Sequence, residues 1–128
     1  MCLLDAVESW DAERIVCVTA RHRDAANPLA EHGRVGALAG IELAAQAMAA
    51  HGALLARTGR PMAGWLARVR DCVLECDRME DLAPPLVIEA QRIAASEAAL
   101  SYRFTVRAGA RLVMSGSALI ALTAHDAA

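Results

Sequence analysis

Between residues 36 and 56 almost every side chain is apolar, yet the run carries one carboxylate, Glu42. A helix that is apolar on nearly all sides must be surrounded by protein or lipid, and a carboxylate inside it must be neutralised, paired or used. The run predicts one long buried helix over residues 36–56, ended by Arg57, Gly59 and Pro61 in the order usual for a helix stop. A length of roughly 20 residues suffices to cross a bilayer. However, Glu42, Gln46 and His51 would all lie inside the span, no second span follows, and no Trp or Tyr belt flanks it. The expectation is a helix in a protein core, with no membrane partner.

What surrounds such a helix is read from the rest of the chain. With 128 residues and 56% apolar composition, the sequence matches one domain over 1–128, with 1–13 as an N-terminal lead and 124–128 as a frayed tail. Residues 3–7 read as a short helical turn or a strand, too brief a run to decide between them. Residues 10–13 read as a turn, and the β-branched run 14–20 reads as a strand. Residues 21–35 have no sustained period, and Asn27-Pro28 and Gly33 signal turns. A loop of that length is uncommon in a compact domain unless it has a task, and this one carries His22 and His32 to the helix start.

After the helix, residues 65–76 and 86–93 read as strands separated by Pro84-Pro85. Residues 101–107 alternate, with Tyr102, Phe104 and Val106 on one face. Gly109 makes a turn, and residues 111–122 form the last strand with Gly116 as a candidate bulge. One helix among successive strands is an α+β pattern, and a curved antiparallel β-sheet wrapped around one long buried central helix accommodates it.

Several functions have no foothold. The net charge of −2, with one Phe and one Tyr, offers nucleic acid neither a basic field nor a stacking platform. The four cysteines, Cys2, Cys17, Cys72 and Cys76, accompany a start that lacks the pattern of a signal peptide, so reduced thiols and a cytoplasmic location are expected. On a strand Cys72 and Cys76 would stand about 13 Å apart, too far to chelate one ion. No phosphate-cradling glycine loop or serine nucleophile elbow occurs, and neither cofactor nor metal is expected.

The remaining chemistry centres on the helix. At about 100° per residue Glu42 and Gln46 lie about 40° apart, whereas His51 lies about 180° from Glu42 and is assigned to packing or an interface. Glu42 is either paired with an arginine for structure or held protonated by apolar surroundings as a general acid. His22 and His32 are either solvated loop groups or partners of that carboxylate at the helix start, where first-turn amides favour developing negative charge.

The segments Asn27-Pro28-Leu29, Gly33-Arg34-Val35 and Gly40-Ile41-Glu42-Leu43-Ala44-Ala45-Gln46-Ala47 resemble the hot-dog fold 3-hydroxyacyl-acyl-carrier-protein dehydratases, in particular those of aryl-polyene-like pathways. The likeness is specific over residues 22–56 and topological elsewhere. It implies the hot-dog fold and a homodimer or higher oligomer with active sites at the subunit interface. It also implies an acyl thioester on acyl carrier protein as substrate, dehydrated to the trans-2-enoyl thioester in fatty-acid or polyene-like biosynthesis.

In that scheme a histidine removes the C2 proton, Glu42 protonates the departing C3 hydroxyl, and an amide at the helix start, at Gly36 or Ala37, binds the thioester oxygen. Gln46 matches the family glutamine one turn after the acid and, with Gly36 and Ala37, is a substrate-binding residue that the resemblance implies. His22 precedes Asn27 by five residues where the family pattern has four, so His22 and His32 both stand as the base. Many relatives have a His-Arg-x-Pro-Met-like run before the Leu-Leu-Asp step that here follows Cys2. Two rivals therefore accompany the dehydratase: a thioesterase on the same scaffold, and a non-catalytic subunit that binds acyl chains or completes a partner's active site.

Overall fold

The computed structural model describes residues 3–20, 39–55, 62–76 and 82–124. Six strands, β1 (Ala6–Trp10), β2 (Arg14–Thr19), β3 (Met62–Leu74), β4 (Leu86–Ala95), β5 (Ala99–Ala108) and β6 (Arg111–Ala124), form one sheet in the order β1-β2-β4-β5-β6-β3. Every neighbouring pair is antiparallel. The helix α1 (Ala39–Leu55) packs on one face of this sheet against β2, β3, β4 and β5.

The burial stripe of α1 is Gly40, Leu43, Ala44, Ala47, Met48 and His51, a spacing of three and four that keeps one helix face on the sheet. Opposite it lie Ile15 and Cys17 of β2, Leu86, Ile88 and Ala90 of β4, Tyr102, Phe104 and Val106 of β5, and Met114 of β6. The alternation in residues 101–107 therefore identified the core face of β5, since Tyr102, Phe104 and Val106 are buried while Arg103 and Arg107 are exposed. Burying such a set stabilises the fold by about 1.5–3 kcal/mol for each large side chain, before the entropy of ordering is counted.

Three expectations change. The helix occupies Ala39–Leu55 within the expected 36–56, and residues 36–38 and 56 lie outside the described residues. It is not enclosed all round: Glu42, Ala49 and Ala53 are exposed, because a one-layer sheet covers one side of a helix only. The unassigned N-terminal run extends into a strand, β1, held to β2 through the pairs Ala6–Val18 and Trp10–Ile15. The Asp11 carboxylate closes the turn between them, its Oδ1 accepting the amides of Glu13 and Arg14, both at 2.8 Å.

Gly116, expected as a bulge, pairs regularly with Phe104. The irregularity beside it belongs to β3, where Asp71 and Cys72 intervene between the pairs Arg70–Ser117 and Val73–Ser115, and Asp71 takes φ of 53°. Glycine is required at 116 for another reason: a Cβ there would stand 2.8 Å from Cζ of Phe104. Gly109, at φ 60°, opens the two-residue turn between β5 and β6 as expected.

Candidate functional site at the open face of the helix

Glu42 lies in the first turn of α1 and its side chain is exposed in the single chain. The apolar run therefore does not by itself desolvate this carboxylate. From Glu42 the solvent side of the helix continues through Ala45, Ala49 and Ala53, all within about 60° of it at 100° per residue. These small side chains form one wall of an apolar groove of about 610 Å³. Gly64, Trp65 and Leu66 of β3 and Ile120 and Leu122 of β6 form the other wall, with Met48 and Tyr102 also lining it. Its size is in the range of pockets that enclose small molecules, and helix geometry places Glu42 on the same side as its alanine wall.

Gln46, one turn on, is half-buried and faces a different neighbour. Its Oε1 accepts the Leu3 amide at 2.7 Å. Leu3 is held from the other side as well, since its carbonyl accepts the Thr19 hydroxyl at 2.7 Å, and Asp5 Oδ2 accepts the Ala20 amide at 2.7 Å. Residues 3–5 are thereby fastened between the helix and the end of β2, at the point from which the histidine-bearing segment departs. His22, His32, Gly36 and Ala37 lie outside the described residues, so among the expected site residues the structure places Glu42 and Gln46.

His51 is fully buried. Its Nε2 is 2.7 Å from the Asp11 carbonyl oxygen and its Nδ1 is 2.7 Å from the Tyr102 hydroxyl. A carbonyl has no proton to give, so Nε2–H is the donor there, and in the neutral ring Nδ1 accepts the Tyr102 O–H. Burial raises the Tyr102 pKa, with Arg92 pulling weakly the other way, and this preserves the phenol proton that the bond needs. The expectation of a packing role for His51 holds: both ring nitrogens are spent on joining the helix, the β1–β2 turn and β5. The apolar run gave no sign of these partners, which lie 40 and 51 residues away in sequence.

No group of three or more His, Cys, Asp or Glu side chains positioned to hold a metal occurs among the described residues. No helix among them is long and apolar enough to cross a membrane.

The sequence matches the ApeP-like family, described as ApeP dehydratase, over residues 1–126. The chain belongs to this dehydratase family. Comparison with curated proteins gives no match. Among solved structures, the dehydratase heterocomplex ApeI:P from Xenorhabdus doucetiae superposes with a TM-score of 0.84 at 16% identity, covering 97% of this chain and 84% of that one. A thioesterase from Haemophilus influenzae gives 0.69 at 9% identity, with 92% and 77% covered. A hypothetical thioesterase with coenzyme A from Streptococcus pneumoniae gives 0.69 at 12% identity, with 93% and 85% covered. At these identities the likeness is one of fold, and the fold is the expected hot-dog: a six-stranded antiparallel sheet around one central helix.

Proposed function

We propose that this chain is a subunit that dehydrates 3-hydroxyacyl thioesters carried on acyl carrier protein, with Glu42 as the acid. The observation that supports the reading best is the apolar groove whose helix wall runs in line with Glu42. An acyl chain is apolar and elongated, and its thioester end is the place for an acid and a base. In the reaction a base takes the C2 proton, the C3–O bond breaks as Glu42 delivers a proton to the hydroxyl, and the C2=C3 double bond and water result. His22 or His32 serves as base, and the amide of Gly36 or Ala37 binds the thioester oxygen as negative charge develops. Gln46, through the Leu3 amide, fixes the wall beside the acid.

A second subunit belongs to this reading. Glu42 is exposed in the single chain, and a carboxyl that is to stay protonated near neutral pH needs apolar cover. β3 is an edge strand of 13 residues with exposed Trp65, Leu66, Val73 and Leu74, which makes it a template for pairing. A homodimer through this edge would cover the groove. The ApeI:P complex is a heterocomplex, and a different hot-dog subunit is the alternative cover; this chain would then complete the partner's site without turning over substrate alone. Thioester hydrolysis, with Glu42 activating water, is the enzymatic rival.

The deciding experiment incubates the purified protein, alone and with a candidate partner, with a 3-hydroxyacyl carrier protein. Enoyl thioester and free thiol are followed separately. Enoyl formation that falls by about 10²-fold or more in Glu42→Gln is expected, the size usual for loss of a general acid. Unchanged enoyl formation in that variant removes Glu42 from the role, thiol release in place of enoyl product makes the protein a thioesterase, and turnover only with the partner makes it the completing subunit.

A further inference from the structure

The face of the sheet turned away from α1 carries a feature that the acyl-thioester reading does not use. Arg70 of β3 pairs across the sheet with Ser117 of β6, which pairs in turn with Arg103 of β5. In the next outward-facing row Arg68 pairs with Leu119 and Leu119 with Ser101. Directly paired residues share a face, and Arg103 stands between buried Tyr102 and Phe104, so both rows face away from the core. At a strand spacing of about 4.8 Å, the Arg70 and Arg103 backbones are about 10 Å apart with a serine midway, and Arg68 is about 7 Å along β3 from Arg70. A cavity of about 210 Å³ lies here, its lining including Arg68, Arg70, Ser101 and Ser117 and the apolar Ile93 and Leu119, with Tyr102 and Ala118 at its floor and Arg103 beside it rather than in its lining.

Among the described residues these arginines form no ion pair. The chain has 15 acidic against 13 basic side chains, so carboxylates are not scarce. Among the described residues, however, the ion pair present is Arg14–Glu89, at 3.8 Å, on the β2 and β4 part of the sheet. Arg68, Arg70 and Arg103 have no carboxylate within ion-pair distance among those residues, and neighbouring Asp71 in the β3 bulge does not pair with Arg70. Guanidinium side chains are long enough to converge over the cavity. Their planar forks match the oxygens of a tetrahedral oxyanion, and the serine hydroxyls between them add further donors. A monocarboxylate is satisfied by one such fork, whereas several guanidiniums around hydroxyls match a group of higher charge.

We propose that the outer-face cavity lined by Arg68, Arg70, Ser101 and Ser117, with Arg103 beside it in the row of Ser117, is a binding site for a phosphate ester, with Ile93 and Leu119 contacting the apolar part of the ligand. The site is independent of the catalytic reading, because Glu42 lies on the helix side and contributes nothing to it.

The test is calorimetric titration of the full chain in low-salt buffer with inorganic pyrophosphate and, separately, with coenzyme A. Saturable binding is expected. Arg68→Ala and Arg70→Ala should each weaken it about tenfold, as expected for loss of a charge-assisted bidentate contact, and Arg103→Ala should weaken it less. Arg70→Lys should retain part of it, and Arg14→Ala and Glu42→Gln should leave it unchanged. Coenzyme A binding tighter than pyrophosphate assigns the site to a nucleotide-linked phosphate, and equal binding assigns it to the phosphate group alone. Unaltered melting of these surface variants would show that the losses are not unfolding. Absence of saturable binding by both probes, or equal binding by a variant with all three arginines changed to alanine, overturns the proposal. Binding of polyglutamate without binding of pyrophosphate overturns it too and makes the face a surface for an acidic protein.

Discussion

The helix carries two ionisable side chains with opposite surroundings. His51, in its last turns, is sealed in the core with both ring nitrogens bonded at 2.7 Å, whereas Glu42, in its first turn, is exposed. The contrast separates two uses of a polar group on an apolar helix. A buried group with every partner in place stabilises the fold, because leaving any of them unmade is costly. A group at an open rim contributes little to folding and is available to a substrate or a second subunit.

Replacing His51 by alanine tests the buried end most severely. The change opens a cavity and strands both the Tyr102 hydroxyl and the Asp11 carbonyl, so a loss of about 3–5 kcal/mol is expected in denaturant unfolding. A loss below about 1 kcal/mol would mean that the site relaxes and that His51 does not tie the helix to the turn.

Tyr102→Phe is a narrower probe. It removes one hydroxyl and leaves Nδ1 of His51 without its donor, with an expected cost of about 1–3 kcal/mol. The raised pKa of Tyr102 gives the wild type a further signature. The stability gained from the neutral phenol is complete below the unfolded value of 10.0 and is lost as pH rises through the higher folded value. Phenylalanine should abolish that alkaline component in melts recorded across the range, and its persistence would place the proton elsewhere.

At the exposed end, Glu42→Gln should shift stability by no more than about 0.5 kcal/mol, while carrying the loss of activity described above. A large stability loss in the isolated chain would make Glu42 a structural group and erase the contrast.

The smallest effect concerns Asp11, whose carbonyl serves His51 while its side chain closes the turn. Hydrogen bonds from the amides of Glu13 and then Arg14 lower its pKa. Its contribution is therefore present above the unfolded value of 3.8 and is lost as pH falls through the lower folded value. Asp11→Asn should flatten the acid limb of the stability profile slightly. An unchanged limb would assign it to other carboxylates.

Much of the fold was legible because it rests on local pattern. The alternation of Tyr102, Phe104 and Val106 specified a core face, Gly109 a turn, and the apolar run a central helix, since each depends on near neighbours in sequence. β1 stays open in the sequence between a helical turn and a strand because a short strand with exposed side chains has no pattern of its own and is defined by its pairing with β2. Gly116 was misread because a glycine in a strand marks either a bulge or a close approach, and the ring of Phe104 from the next strand decides between them.

For the site, the sequence by itself determined that one carboxylate and one glutamine stand a turn apart on an apolar helix, and that the chain belongs with the ApeP-like dehydratases. Only the tertiary structure decided which side of that helix is covered. Helical periodicity fixes angles between side chains but not which of them meet the sheet. That choice placed Glu42 in solvent and His51 in the core, and strand register gathered Arg68, Arg70 and Arg103 onto one outer face.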